Sequence, residues 1–305
     1  IGHIAAQSPQ WRKPLRRALP GIGQRMRMTD HSEVDVSESA KLQTTLFWAS
    51  AVIAGLPVVL EEMRGQSASL QVQEAGISAI NDIVDLTDGA GDGDSGGIEA
   101  QHIPAAIATV SAALRTHCQH APLQWSGCLA LNLLHQALPD SADPPLEALE
   151  AVLAAMKRHP TSYKVTSNAC AAIRGFLEPR RGRDSAAAKA VATQVVGVLQ
   201  SREVAPTFRR LLRDYTSCTD RALLEDALYT MCLVEGLPVV LQALVEGEHE
   251  ARVELRISGL NALFEIARTF PDLFVPAQAQ DVDKVLRTVV SQARAAEQVS
   301  ASELC

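Results

Sequence analysis

The sequence predicts an all-helical protein built from stacked copies of a similar helical unit. Three observations support this fold class: a recurring pattern of small residues, a six-residue segment that occurs twice, and almost no strand-type alternation of Val, Ile, Thr or Tyr. Aromatic residues make up only 4% of the 305 residues. A low aromatic content together with abundant alanine suits closely packed helices better than a sheet.

The recurring pattern is a Gly or Ala, an apolar residue, a variable residue, an Ala or Thr, and a second apolar residue. We call its five occurrences the aligned segments and their positions columns one to five; they are 76–80, 127–131, 169–173, 227–231 and 259–263. Small residues three apart allow a neighbouring helix to come close, and the apolar columns lie on a buried face. One such helix cannot bury its stripe alone, so stacked copies form a continuous core.

The second repeat is Gly55-Leu-Pro-Val-Val-Leu60, which recurs letter for letter from Gly236 to Leu241. Gly-x-Pro before an apolar run is typical of a helix start, because proline is tolerated in the first turn. Gly-Leu-Pro-Val-Val-Leu resembles the second helix of an armadillo repeat, and residues 72–84 resemble the third. The resemblance covers residues 40 to 275. It implies a right-handed superhelical, armadillo-like solenoid of about five to six imperfect repeats.

Three regions are expected along the chain. Residues 1–36 form a basic, Pro/Gly-containing arm, residues 37–275 form the repeats, and residues 276–305 form a capping helix and tail. An Asp/Gly-rich loop at 87–97 and an Arg-rich loop at 178–184 interrupt the repeats. A capping-type serine predicts a helix from Ser37, and apolar spacing and proline punctuation predict the others. They are expected near 56–64, 70–86, 103–118, 123–137, 145–158, 163–177, 185–200, 203–214, 220–233, 237–246, 250–269 and 281–299.

The charge is unevenly distributed. Residues 1–29 carry six Lys or Arg and no acid, and the rest of the chain holds 22 basic against 35 acidic groups. An acidic body argues against nucleic acid as the main partner. The longest apolar run, Ala49 to Leu60, is too short to span a bilayer. The six cysteines show no Cys-x-x-Cys pairing, which indicates reduced core residues of an intracellular protein.

Several short motifs resemble catalytic or metal-binding motifs, but each lacks residues that the chemistry requires. Residues 93–97 spell the pentapeptide around a serine-protease nucleophile, but no Ala-Ala-His-Cys segment precedes them, and a glycine-rich loop between helices cannot hold a catalytic constellation in place. The same loop half-matches a calcium loop from Asp88 to Glu99 and lacks one carboxylate and the aliphatic anchor. Histidines and cysteines between His117 and His135 have no zinc-finger spacing. We therefore expect no catalytic centre, no cofactor and no metal.

The peptide-binding device of armadillo proteins is also missing. The resemblance places its asparagine ladder at Asp82, Leu133, Gly175, Leu233 and Glu265, and its tryptophan column at Ser78, Leu129, Ala171, Tyr229 and Asn261. Asn81 and Asn132 stand one residue early, which on a helix is a rotation of about 100°. Capture of extended peptides is therefore not expected, and docking of folded partners is.

Two basic sets are the predicted partner-binding residues. The arm contributes Arg12, Lys13, Arg16, Arg17, Arg25 and Arg27, and the middle of the chain contributes Arg180, Arg181, Arg183, Arg209, Arg210 and Arg213. With Arg174 nearby, the second set is expected to receive an acidic helix or tail.

The expected function is a non-enzymatic structural subunit of a larger assembly, in the cytoplasm or on the cytoskeleton. By analogy it is placed on an axoneme, whose tubulin surfaces are acidic. The alternatives are a soluble adaptor that binds a partner transiently in the groove near Arg180 to Arg213, and an accessory subunit of a mitochondrial complex. The mitochondrial alternative arises because residues 1–29, which are rich in arginine and carry no acid, resemble a transit peptide.

Overall fold

A computed structural model describes residues 55–88, 100–138, 145–178, 185–214, 221–245, 253–270, 282–285, 287–288 and 291. These residues form helices and turns without a strand. The helices are α1 Leu56–Gly65, α2 Leu70–Asp88, α3 Ile103–Thr116, α4 Ala121–Gln136, α5 Leu146–Arg158, α6 Tyr163–Leu177, α7 Ser185–Ser201, α8 Ala205–Asp214, α9 Arg221–Glu235, α10 Leu237–Val245 and α11 Val253–Thr269, with a 3₁₀ turn, Ala100–His102, before α3. The predicted all-helical class is confirmed for this part of the chain. The predicted arm, the helix from Ser37, most of the Asp/Gly-rich loop, nearly all of the Arg-rich loop and most of the capping helix lie outside it.

The chain divides into two compact units, Ile1–Ala172 and Ile173–Cys305, with the boundary inside α6. In the first unit α1 packs on α2 and α3 packs on α4. Helices α1, α3 and α5 lie side by side, and α2 lies beside α4, so these helices form two layers. In the second unit α9 is central and packs against α7, α8, α10 and α11. No described helix has both the length and the apolarity that a bilayer span requires.

The two copies of Gly-Leu-Pro-Val-Val-Leu begin α1 and α10, as predicted. Gly55 precedes α1 with a φ of 86° and Gly236 precedes α10 with a φ of 96°, both in the region that side chains disfavour. Pro57 occupies the first turn of α1, where its missing N–H costs no helical hydrogen bond. Glycine therefore turns the chain into each helix, and proline fixes its first turn.

The burial of the aligned segments confirms the predicted apolar face. Column four is at most 1% exposed throughout, at Ala79, Ala130, Ala172, Thr230 and Ala262. Column two is fully buried at Ile77, Cys128, Cys170 and Leu228, whereas Leu260 is only half-buried. Neither cysteine of this column is part of a disulfide, and each takes the place of a small apolar side chain.

The glycines of column one allow two helices to approach closely. A Cβ added to Gly76 would lie 2.4 Å from Met63 Sδ, and one added to Gly127 would lie 2.4 Å from Leu114 Cδ2. Met63 and Leu114 each stand thirteen residues before their glycine. Helix α2 therefore meets α1, and α4 meets α3, at equivalent positions.

A glutamine three residues before each of these glycines fastens the same helix pairs. Gln73 Nε2 donates to two main-chain carbonyls at the end of α1, at 2.8 and 3.0 Å. Gln124 Nε2 donates to two at the end of α3, at 3.0 and 3.1 Å. Both glutamines are at most 2% exposed. Each satisfies carbonyls at a helix end, where intrahelical partners run out.

Histidines link the turns between helices. His117 Nε2 donates to the Ser67 carbonyl at 2.9 Å, and His159 Nε2 donates to the Cys118 carbonyl at 2.8 Å. Each histidine follows the last residue of its own helix, α3 or α5, and its acceptor lies in the preceding turn. Successive helix pairs of the first unit are thus joined at the same end.

Candidate functional site

The structure describes only part of the predicted partner-binding set. Arg209, Arg210 and Arg213 lie exposed on α8, while Phe208 and Leu211 bury its opposite face. The other predicted residues, Arg12, Lys13, Arg16, Arg17, Arg25, Arg27, Arg180, Arg181 and Arg183, lie outside the described residues.

Arg209 on α8 has a carboxylate partner on the neighbouring helix. Arg209 Nε donates to Glu235 Oε2 at 3.1 Å, and Arg209 Nη2 also bonds Glu235 Oε1. Glu235 is the last residue of α9. The bidentate pair holds Arg209 against α9 and fixes its planar guanidinium.

A second arginine, Arg174 on α6, lies at the centre of an ionic cluster in the second unit. Its Nη1 donates to Glu225 Oε1 at 2.8 Å and to Asp226 Oδ1 at 2.9 Å, both on α9. Its Nε donates to Glu178 Oε1 at 2.7 Å. Its guanidinium carbon lies 5.1 Å from the centroid of the buried Tyr229 ring, a cation–π distance. Two of the carboxylates that Arg174 bonds are therefore on α9 of its own chain.

Burial and charge act against each other in this cluster. Burial raises the pKa of Asp226 to about 6, although the Arg174 guanidinium acts to lower it. Burial also raises the pKa of Tyr229. Burial alone would lower the pKa of Arg174, but its hydrogen bonds to the three carboxylates outweigh burial and raise it. Asp226 is thus the group of this cluster whose charge changes near neutral pH.

Helix α11 completes the surroundings of the cluster. Asn261 Nδ2 donates to Glu225 Oε2 at 3.2 Å, so this carboxylate bridges two helices. Glu265 bonds Arg268 one turn later, at 3.0 Å from Nε. Phe264, which lies between Asn261 and Glu265 in the sequence, is 66% exposed. Helices α6, α9 and α11 therefore all contribute polar or charged groups here.

In the first unit, side chains link neighbouring helices into a row. Asn81 Nδ2 on α2 donates to the main-chain oxygen and Oγ of Ser126 on α4, at 3.2 and 3.1 Å. Asn168 Nδ2 on α6 donates to the Trp125 carbonyl at 2.9 Å. Lys164 Nζ lies 5.3 Å from the centroid of the half-buried Trp125 ring. The row α2, α4, α6 is thus fixed by amide hydrogen bonds and one cation–π contact.

The histidines and cysteines that suggested zinc have other partners. His117 bonds the Ser67 carbonyl, and His120 Nδ1 lies 3.2 Å from Glu74 Oε1. Cys128 is fully buried, and burial raises the pKa of its thiol to about 12. Across the described ranges, no three His, Cys, Asp or Glu side chains are grouped as metal ligands.

Sequence reasoning missed the carboxylates of the ionic cluster. Asp226 stands directly before column one of the fourth aligned segment, and Arg174 stands directly after column five of the third. A charge next to a buried column was the available signal, because such a group must find a partner. The pairing of Arg174 with Asp226 could not be predicted from the sequence, because the two residues are 52 positions apart.

The armadillo resemblance depends on the aligned segments and the repeated Gly-Leu-Pro-Val-Val-Leu, and it stays a prediction. Comparison of the chain with protein-family models, curated proteins and solved structures found no match.

Proposed function

We propose that this protein is a non-enzymatic interaction scaffold, a structural subunit of a larger assembly anchored by its basic N-terminal arm. In this proposal the helices form a right-handed, armadillo-like solenoid of five or six imperfect repeats. The partners are proteins with acidic surfaces, which suits residues 1–29 of the arm, with six basic groups and no acid. By analogy, a tubulin-based structure such as an axoneme is the proposed location.

The supporting observation is the linked row of α2, α4 and α6. Asn81 and Asn168 donate hydrogen bonds to main-chain oxygens of α4. The spacing of the three helices therefore does not depend on contacts between surface side chains alone. A surface of laterally fixed helices suits docking of a folded partner, because little order has to be imposed on binding. Trp125 supplies a large, half-buried aromatic group on this row, of the kind enriched at interfaces.

A second candidate is a soluble adaptor. Its supporting observation is α8, whose three arginines are exposed together and whose Arg209 already holds a carboxylate from α9. An acidic segment of a partner would bind the same face through charge-assisted hydrogen bonds. The mitochondrial accessory subunit is a third candidate, supported by the composition of the arm.

The test uses the full chain expressed in cells that naturally make it. One variant replaces the six basic arm residues with glutamine, and a matched variant replaces Arg209, Arg210 and Arg213 with glutamine. Size-exclusion chromatography of the cell extract follows whether the protein elutes in a large complex or alone. Fractionation of the same cells separates mitochondria from cytoskeleton.

The two variants distinguish the candidates. Release from a large complex by the arm variant alone supports the structural subunit. Loss of binding in the α8 variant alone supports the adaptor. If wild type and both variants elute as the free protein, the structural-subunit proposal is wrong. Import into mitochondria with loss of the arm would favour the accessory subunit.

A further inference from the structure

The contact between α6 and α9 depends on a cluster with unequal charges. One guanidinium, Arg174, serves three carboxylates, those of Glu178, Glu225 and Asp226, all within 2.9 Å of its nitrogens. With every group ionised, the cluster carries an excess of two negative charges. The Asp226 side chain is 11% exposed, so water screens this excess only weakly.

Arg174 is the cation that acts on Asp226. The other arginines near it in the second unit have contacts of their own; they are Arg210 and Arg213 on α8, Arg221 on α9 and Arg256 on α11. Glu178, which directly follows α6, and Glu225 of α9 both disfavour its ionised form, and Arg174 favours it. Helix α10 has no ionisable residue, and Lys189, the one charged residue of α7, lies outside the described side chains. On α8, Arg209 pairs with Glu235, nine residues beyond Asp226 on α9.

Helix α11 is the remaining neighbour of α9. It presents Asn261, which bonds Glu225, and the pair of Glu265 and Arg268. Arg268 is exposed, and its hydrogen bonds go to Glu265. The neutral Asn261 amide adds no charge. The excess negative charge therefore falls on α6 and α9.

We propose that the junction of α6 and α9 is a pH-sensitive joint, which tightens when Asp226 takes up a proton and loosens when it releases one. A protonated Asp226 removes one of the two excess charges. Its carbonyl oxygen still accepts the hydrogen bond from Arg174 Nη1, so the bridge between the helices persists. When the proton leaves, three carboxylates again repel one another around one guanidinium in a half-buried site.

The direction of the pH effect follows from proton linkage. The pKa of Asp226 is raised by burial from its ordinary 3.8 to about 6, so the folded protein binds more protons than the unfolded chain between these values. The extra stability is therefore full below pH 3.8 and is lost as the pH rises through about 6. Between about pH 4.5 and 7.5, the equilibrium constant for unfolding is expected to rise about 25-fold from this group.

The test compares the full-length protein with Asp226→Asn, which keeps the shape and a hydrogen-bond acceptor but cannot titrate. Urea unfolding followed by circular dichroism gives the unfolding constant across this pH range. Wild type is expected to show the 25-fold rise in excess of the variant. Glu235→Gln, which removes a carboxylate from the far end of α9, is the matched control and should keep the wild-type slope. Equal slopes in wild type and Asp226→Asn would overturn the proposal.

A local measurement keeps the proposal testable if Asp226→Asn does not fold. Hydrogen exchange of wild-type α9, corrected for the intrinsic pH dependence of exchange, should show less protection above neutral pH than below about pH 5.5. Helix α4 in the other unit serves as the internal control and should not change. An α9 whose corrected protection is constant, or changes in parallel with α4, would mean that the junction does not respond to protons.

Discussion

Gly127→Ala places a methyl group where the structure has no space for it. The new Cβ would lie 2.4, 3.0 and 3.4 Å from Cδ2, Cγ and Cδ1 of Leu114. Ordinary contacts between carbon atoms need about 3.5–4.0 Å. Because all three outer carbons of Leu114 are involved, rotating the side chain does not clear the space, and Leu114 is itself only 2% exposed. Helices α3 and α4 must therefore move apart.

Two effects of opposite sign set the size of the loss. Overpacking a filled core costs about 1–3 kcal/mol. Replacing glycine by alanine inside a helix recovers about 0.5–1 kcal/mol of backbone entropy. We expect Gly127→Ala to lower the free energy of unfolding by about 1–2 kcal/mol. Gly76→Ala should cost less, because Met63 has more rotatable bonds with which to withdraw.

Gly65→Ala is the matched control in the same unit. A Cβ at Gly65 meets nothing within 4 Å, so this change should stabilise by about 0.4–1 kcal/mol. Urea unfolding followed by circular dichroism at constant pH measures both variants, with the denaturant slope showing whether the transition is comparable. If Gly127→Ala is as stable as Gly65→Ala, close approach of the helices does not explain the small residues of column one.

Three further predictions concern helix starts, buried amides and thiols. Alanine at Gly55 or Gly236 should lower the free energy of unfolding by about 1–2 kcal/mol, because φ is positive at both; thermal melting checks this, and unchanged melting would contradict it. Gln124→Leu should cost about 1–3 kcal/mol in urea unfolding, because two helix-end carbonyls lose their donor. Burial raises the pKa of Cys128 and Cys232 to about 12, so at neutral pH iodoacetamide should modify neither until urea unfolds the protein; mass spectrometry of the labelled peptides reads this out, and rapid labelling of the folded protein would refute the burial argument.

The helices could be predicted from local chemistry. Gly-x-Pro and apolar spacing set α1 and α10 within one residue of their observed ends, since the helix start depends on neighbouring residues only. The buried columns were also predictable, because a helix repeats its face every few residues. The glycine contacts with Met63 and Leu114 follow the same logic, although the partner atoms are not readable from the sequence.

The clusters between helices could not be predicted, because they depend on which helices become neighbours. Arg174 meets Glu225 on α9, whereas α7 and α8 lie between them in sequence. Asn81 shows the same limit. Asn81 stands one residue before the position of the armadillo asparagine ladder, and from this the sequence predicts only that a peptide-binding asparagine is missing. In the structure the Asn81 side chain reaches α4 and donates to Ser126. The position of Asn81 on its helix could be predicted from the sequence, but its hydrogen bond to Ser126 could not.

Four side chains that join neighbouring helices and turns in the first unit use the same kind of acceptor. His117, His159, Asn81 and Asn168 each donate to a main-chain oxygen of another helix or turn. A main-chain oxygen is present whichever residue occupies the position, so substitutions on the accepting side leave these bonds intact. Only the donor side is restricted in sequence. The accepting helices and turns of the first unit can thus vary widely in composition without losing the contacts that set the spacing of their neighbours.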